Sequence, residues 1–337
     1  MIRVLFAALA AFPVPASLAR PVLRSVEDPK PQTEKRDPIY DEKADAKADI
    51  AAAVARAKKD NRRVLVQWGA NWCGWCHRLH ELFHSDKDIA KALLYEYDVV
   101  LVDIGRWDKN MDLATSYGAN LKQSGVPFLT LLDGEGKVLV NQDSGAFESK
   151  DEKKPGHDPR TVLEFLKGHQ APYAKAQDLY DAALARAKAE NRSVFLHFGA
   201  PWCGWCRRLE AWMASTEVAP ILTKGFIDLK IDTERTVGGN EMMTAMIATA
   251  AGSRPGAKTG GGIPWFVFLD SSGSLLADSD GEEGNIGFPS QPAEIDVFVA
   301  MLKKSGAKLS AVEIDQLRRT LEADREKRES AEKKKAG

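Results

Sequence analysis

The sequence predicts an α/β protein made of two tandem copies of one unit, each a central mixed β-sheet flanked by helices. Three observations carry that prediction. The decapeptide NWCGWCHRLH at residues 71–80 returns 130 positions later as PWCGWCRRLE, and the same shift aligns residues 51–79 with 181–209 at 18 identical positions out of 29. Within each copy, helical and strand patterns alternate, as they do where helices cover the faces of a sheet. Finally, 337 residues exceed what one ordinary core serves, so the length fits two domains. The repeat is a whole domain, too long a unit for a solenoid.

The elements follow in the same order in each copy. A helical pattern over 44–59, and again over 176–189, ends at Asp60-Asn61 or Glu190-Asn191. It passes into the apolar runs Val64-Leu65-Val66-Gln67-Trp68 and Val194-Phe195-Leu196-His197-Phe198, which have the length and β-branched content of a buried strand. Strand meets helix at the cysteines, after which Leu79, Leu82 and Phe83, or Leu209, Trp212 and Met213, recur at helical spacing. A second strand is expected over 99–104 and 226–231. A third opens with a proline in each copy, over 126–133 and 263–270. Asp133-Gly134-Glu135-Gly136 and Asp270-Ser271-Ser272-Gly273 are turns leading to a hairpin partner. Helices over 159–166 and 292–303 close the units.

The ends differ in composition. Residues 1–19 read as a secretory signal peptide: Arg3 precedes the apolar run Val4 to Phe12, and Ser17 and Ala19 are the small residues ahead of a cleavage point. The alternative is a short uncleaved anchor, although nine apolar residues fall short of the roughly 20 needed to span a bilayer. Residues 20–39 form a Pro- and charge-rich leader, 40–171 the first domain, 172–306 the second, and 307–337 a charged helical tail beginning at a Ser310 cap. With 44% hydrophobic residues, 28% charged residues and a formal net charge of −1, the chain implies neither nucleic acid nor an acidic membrane surface as partner. A periplasmic or secreted location follows from the signal peptide. Exported proteins often use disulfides as staples, yet all four cysteines sit in two Cys-x-x-Cys pairs, which points to redox work.

Trp-Cys-Gly-Trp-Cys at a strand-to-helix junction, with Val126-Pro127 and Ile263-Pro264 lying 54 and 61 residues beyond the first cysteine of each copy, resembles the thioredoxin superfamily twice over. The likeness is greatest to its exported disulfide-oxidoreductase branch and covers about 40–306. It implies thiol:disulfide exchange on protein substrates, no cofactor, and two separate disulfides, Cys73–Cys76 and Cys203–Cys206. Pro127 and Pro264 resemble the cis-proline that faces the disulfide in this superfamily, with Val126 and Ile263 offering backbone to an extended substrate.

The chemistry of the positions agrees with that resemblance. A cysteine in the first turn of a helix has its sulfur near unpaired N–H groups and the positive end of the dipole, so Cys73 and Cys203 are the expected nucleophiles. Lowering a thiol pKa from about 8.5 to about 7 takes roughly 2 kcal/mol of preferential thiolate stabilisation. Cys76 and Cys206 are then the resolving thiols. Arg78, Arg208, His77 and Arg207 add cationic neighbours. By resemblance Trp72 and Trp202 shield the site, with plain core packing as the alternative, and Trp75 and Trp205 between the cysteines contact substrate. Thioredoxins place a buried acid six residues before the nucleophile, where this chain has Gln67 and His197. Gln cannot act as a base, whereas His197 can relay a proton or serve simply as a core histidine.

Competing readings are a zinc site and a binding module. The 126 residues between the pairs argue against one shared zinc, and Cys73, Cys76, His80 and His84 have no full counterpart in the second copy, which carries Glu210 and Ala214. No metal is expected. The Gly-Trp dipeptide inside each pair matches neither the Gly-Pro of reducing thioredoxins nor the Pro-His of strong oxidants. The direction expected is reduction or isomerisation, recharged by a membrane electron donor, with an oxidase or a chaperone for unfolded exported chains as alternatives.

Overall fold

A computed structural model describes residues 37–336 except 152, 154, 254–257 and 259. The signal-peptide reading and nearly all of the leader fall outside the described residues. In chain order the first half holds α1 (Ala46–Lys59), β1 (Arg63–Gly69), α2 (Gly74–Ser85), α3 (Lys87–Glu96), β2 (Tyr97–Asp103), α4 (Met111–Ser116), α5 (Leu121–Ser124), β3 (Phe128–Leu132), β4 (Val138–Asp143) and α6 (Pro159–Gly168). The second half holds α7 (Ala176–Glu190), β5 (Ser193–Gly199), α8 (Gly204–Met213), α9 (Ala219–Gly225), β6 (Phe226–Asp232), α10 (Gly239–Gly252), β7 (Trp265–Leu269), β8 (Leu275–Asp278), the short ribbon β9 (Asp280–Gly281) and β10 (Gly284–Asn285), then α11 (Pro292–Lys304) and α12 (Ala311–Ala336).

Each half forms one four-stranded mixed sheet, in the order β2-β1-β3-β4 and β6-β5-β7-β8. The central strand runs parallel to its first neighbour and antiparallel to its second, with Gln67 opposite Leu101 and His197 opposite Lys230. The mixed α/β class and its duplication are therefore what the sequence implied.

Period-two alternation on the central strands decides what faces the cysteines. Val64, Val66 and Trp68 pack with Ala46, Ile50, Ala53 and Ala57 of α1, while Leu65 points the other way into a cluster with Leu79 and Phe83 of α2. Gln67 and Gly69 share the face of Leu65. Likewise Val194, Leu196 and Phe198 meet Ala183 and Ala187 of α7, whereas Phe195 packs with Leu209 and Trp212 of α8. His197 and Gly199 therefore look toward α8. The alanines on α1 and α7 keep these helices close to the sheet, because a larger side chain there would hold the two layers apart.

Helix boundaries follow their caps. Asp45 accepts the Ala48 N–H, Asp158 caps α6 ahead of Pro159, and Gln291 with Glu294 forms a reciprocal box at α11. At α12, the Ser310 amide and hydroxyl both donate to Glu313, whose own amide donates back to Ser310 Oγ. That helix is docked along its first turns: Ile314, Leu317 and Leu321 enter the core with Trp212, Phe298 and Leu302. Its more distal part presents Asp324 to Arg208 at 2.8 Å and Arg328 to the Ser290 carbonyl at 2.9 Å.

Both sheets belong to one unit, Pro38–Gly337. The seam between them centres on Arg235, which is buried against Glu96 at 3.0 Å and also donates to the carbonyls of Asp60 and Asn61. Tyr173, just before α7, donates to the other Glu96 oxygen at 2.8 Å. Asn61 donates to the Pro172 carbonyl at 2.8 Å, tying the connection between the halves to the end of α1.

Candidate active site

Helices α2 and α8 begin directly after a cysteine. Cys73 and Cys203 are the N-cap residues, in extended conformation, and their Sγ atoms accept the backbone N–H of Cys76 and Cys206 at 3.1 Å. A sulfur at an N-cap replaces one of the partners that the first-turn amides lack, and it sits where the helix dipole favours negative charge. Cys73 is disulfide-bonded to Cys76 and Cys203 to Cys206. Within each pair the first sulfur is on the more accessible residue, 5% against 0% exposed in the first centre and 4% against 2% in the second.

The Val126-Pro127 and Ile263-Pro264 bonds are both cis. They bring the Val126 carbonyl to 3.5 Å from Cys73 Sγ and the Ile263 carbonyl to 3.5 Å from Cys203 Sγ. Each centre is thus a sulfur flanked by a helix start on one side and a strand-opening backbone on the other.

The tryptophans frame these centres differently. Trp72 is 46% exposed, donates to the Gly105 carbonyl at 2.6 Å and leans on Trp107. Trp202 is 54% exposed and donates instead to Glu234 at 2.6 Å. Neither is a core residue. Trp75 is half-buried, with Arg78 over its ring and His157 meeting it edge-on. Trp205 is exposed but stacks on Phe288 and lies under Arg328 of α12. Arg208, expected from the sequence to add a cation near Cys203, is paired with the Asp324 carboxylate. The His80 and His84 rings pack tilted against each other along α2, and among the described residues no cluster of three or more ligand-type side chains fits a metal ion.

Beneath the sulfurs the two copies part company. In the first, Gln67 donates from Nε2 to the hydroxyl of Tyr40 at 2.7 Å, and both side chains are buried. A Cβ placed on Gly69 would lie 2.2 Å from the Tyr40 hydroxyl and 2.7 Å from Cys76 Sγ, so phenol and sulfur face each other across that glycine. Burial, only partly offset by the Gln67 hydrogen bond, pushes the Tyr40 hydroxyl far above its ordinary range and keeps it protonated. Sequence reasoning passed over Tyr40 because it precedes the first helix; its only signal is an apolar Ile39-Tyr40 pair in a charged stretch. Replacing Tyr40 with Phe strands the buried Gln67 amide, and a loss of about 1–3 kcal/mol in urea unfolding is expected. An unchanged midpoint would show that the amide finds another partner.

In the second copy His197 is buried and its Nε2 pairs with Asp228 Oδ1 at 2.9 Å. Burial alone would raise the Asp228 carboxyl, but the His197 hydrogen bond and the nearby Lys59 outweigh it and hold the group well below the usual carboxylate range. Asp228 is therefore ionised, which places the imidazole hydrogen on Nε2 and leaves Nδ1 as the basic nitrogen. A Cβ on Gly199 would lie 3.3 Å from Cys206 Sγ, so the face that carries His197 is the face against the resolving cysteine.

The thioredoxin-like family model matches residues 45–134 and 175–271, one stretch in each half and more than half of the chain together. The protein disulfide-isomerase tigA of Aspergillus niger is 26% identical over 184 residues, covering 53% of this chain and 47% of that protein. Protein disulfide-isomerase erp38 of Neurospora crassa is 28% identical over 151 residues, covering 45% of this chain and 38% of that one. The matches thus span about half, or less, of these relatives' length. Among solved structures, a disulphide isomerase from Xylella fastidiosa Temecula1 is 26% identical and covers 39% of this chain and 96% of its own, with a TM-score of 0.34.

Proposed function

The chain belongs to the thioredoxin-like family, and from that premise we propose that it is an exported thiol:disulfide oxidoreductase whose two centres reduce or isomerise protein disulfides. The observation that carries this reading is the position of Cys73 and Cys203, each with its sulfur accepting a first-turn amide at the start of a helix. In the reduced protein the same amide stabilises a thiolate, and the thiolate is the attacking species. It adds to one sulfur of a substrate disulfide and expels the other as a thiolate. The thiolate of Cys76 or Cys206 then attacks the mixed disulfide, closing the pair and releasing the second substrate sulfur. Two electrons pass from the dithiol to the substrate in each cycle.

On this reading Trp72, Trp75, Trp202 and Trp205 shield the sulfurs or contact substrate, and the backbone at Val126-Pro127 and Ile263-Pro264 pairs with an extended substrate. All four cysteines lie in the two pairs, so continued reduction needs an external electron source, for which a membrane donor is the counterpart of an exported location. Among the described residues no helix is long and apolar enough to cross a membrane.

The direction follows from what lies inside each pair. Gly74-Trp75 and Gly204-Trp205 offer no histidine to hold the nucleophile's thiolate, so the potentials belong nearer the reducing end, about −270 mV, than the oxidising end, about −120 mV. The reduced protein is expected to cleave insulin disulfides readily, and the oxidised protein to be slow in oxidising a reduced unfolded substrate. The reverse ranking makes the chain an oxidase; binding of unfolded chains without exchange in either assay makes it a chaperone.

A further inference from the structure

The second centre is contacted by the first half of the chain. Lys59, at the C-terminal end of α1, places Nζ 3.0 Å from Asp228 Oδ2, the carboxylate whose other oxygen pairs with His197. The next residue, Asp60, meets Lys230 at 3.1 Å, and Lys230 also reaches Glu210 of α8 at 2.8 Å. Nearer the surface, Tyr95 of α3 donates to Glu234 at 2.6 Å, and Glu234 is the acceptor for the indole N–H of Trp202. The strand registers place the apolar Val99 and Leu101 of β2 where β6 has the charged Asp228 and Lys230.

We propose that the second centre is a composite site in which Lys59, a positioning residue from the first domain, sets the charge on the Asp228–His197 pair and thereby the pH at which His197 serves Cys206. This rests on the exchange reaction proposed above. In its resolving step the Cys206 thiol gives its proton to His197 Nδ1. The resulting thiolate forms the bond to Cys203 Sγ while the bond from Cys203 to substrate breaks, and the departing substrate thiolate takes a proton from the imidazolium or from water. Both electrons leave with the substrate.

His197 is buried, but Asp228 opens onto a cleft of about 500 Å³ along the seam, lined also by Lys59, Asp60, Arg207, Glu210 and Lys230. The charged groups linked to His197 are Asp228, which pairs with it, Lys59 on that carboxylate, and Lys230, its register partner on β6, which meets Glu210 of α8 and Asp60 of α1; Cys206 of α8 lies on the same face of the sheet, against Gly199. Phe266, opposite His197 on β7, and Phe298 of α11, packed on the same face, carry no charge. Lys59 is the member of this set that both belongs to the other domain and touches the carboxylate holding the imidazole.

The sign is fixed by electrostatics. A cation beside Asp228 weakens the attraction between that carboxylate and an imidazolium, so Lys59 favours neutral, basic His197. Removing it raises the pH at which His197 becomes available.

The test uses the full chain with Cys73→Ser and Cys76→Ser, so that only the second centre reports, and follows resolution of a mixed disulfide with glutathione against pH. The expected result for Lys59→Met is an acidic limb moved up by about half to one pH unit, equivalent to roughly three- to tenfold slower resolution below it. Lys59→Arg should restore the parent profile, and Lys58→Met, whose side chain pairs with Glu135, should not move it. His197→Gln should remove the limb. A Lys59→Met profile identical to that of the active parent overturns the proposal. A parent that resolves no mixed disulfide at any pH overturns the reaction it rests on instead.

Discussion

The full chain carrying Cys73→Ser and Cys203→Ser together is expected to lose disulfide exchange completely, while either substitution alone removes the contribution of one centre. Only these two sulfurs combine an N-cap position, a first-turn amide at 3.1 Å and the greater access of their pair. The partner substitutions should behave in the opposite way. With Cys76→Ser or Cys206→Ser the nucleophile still attacks, but nothing inside the domain resolves the product, so mixed disulfides accumulate. Non-reducing electrophoresis and mass mapping of trapped adducts read the difference: adducts on Cys73 and Cys203 in the resolving-cysteine variants, none at a domain whose nucleophile is Ser. Equal trapping by all four single variants would show that position in the helix does not select the attacking sulfur.

A second large effect is expected at the seam. Arg235→Met leaves the Glu96 carboxylate buried with Tyr173 as its remaining partner and removes the bonds to the Asp60 and Asn61 carbonyls. Breaking a buried pair from one side costs about 3–5 kcal/mol, because the surviving charge keeps its desolvation penalty without compensation. Urea unfolding should show that loss for Arg235→Met, and a large part of it should return in Arg235→Met combined with Glu96→Leu, where no charge is stranded. A single-variant loss within about 0.5 kcal/mol would place the pair among ordinary surface contacts.

The sequence disclosed the fold and the sulfurs because both are written locally. Alternating apolar residues on 64–68 and 194–198, the helical spacing after each Cys-x-x-Cys and the proline opening the third strand are short-range patterns, and the duplication let each copy check the other. The strands and helices given bounds from the sequence begin and end within a few residues of those expectations, whereas α3, α10 and the β9–β10 ribbon are given none. What stayed hidden is long-range. Tyr40 reaches Gln67 from outside the first helix, Lys59 meets Asp228 across the seam, and Glu96 finds Arg235 only once the halves dock. No periodicity encodes such partners, since each depends on how finished units face one another. Arg208 illustrates the same limit: its charge was visible, but its neutralisation by Asp324, 116 residues away, was not.

The placement of α12 bears on how the chain comes to be folded. Ile314, Leu317 and Leu321 complete the apolar layer around Phe298 and Trp212, and they are made after every strand of that layer. The first sheet can close as soon as its own residues are available, since synthesis favours N-terminal units. The second cannot: until the α12 residues arrive, a growing chain carries an open oily trough beside its second pair of cysteines. A message broken off near codon 310 would yield a product with a complete set of thiols and an unsealed core, suited to chaperone capture and degradation.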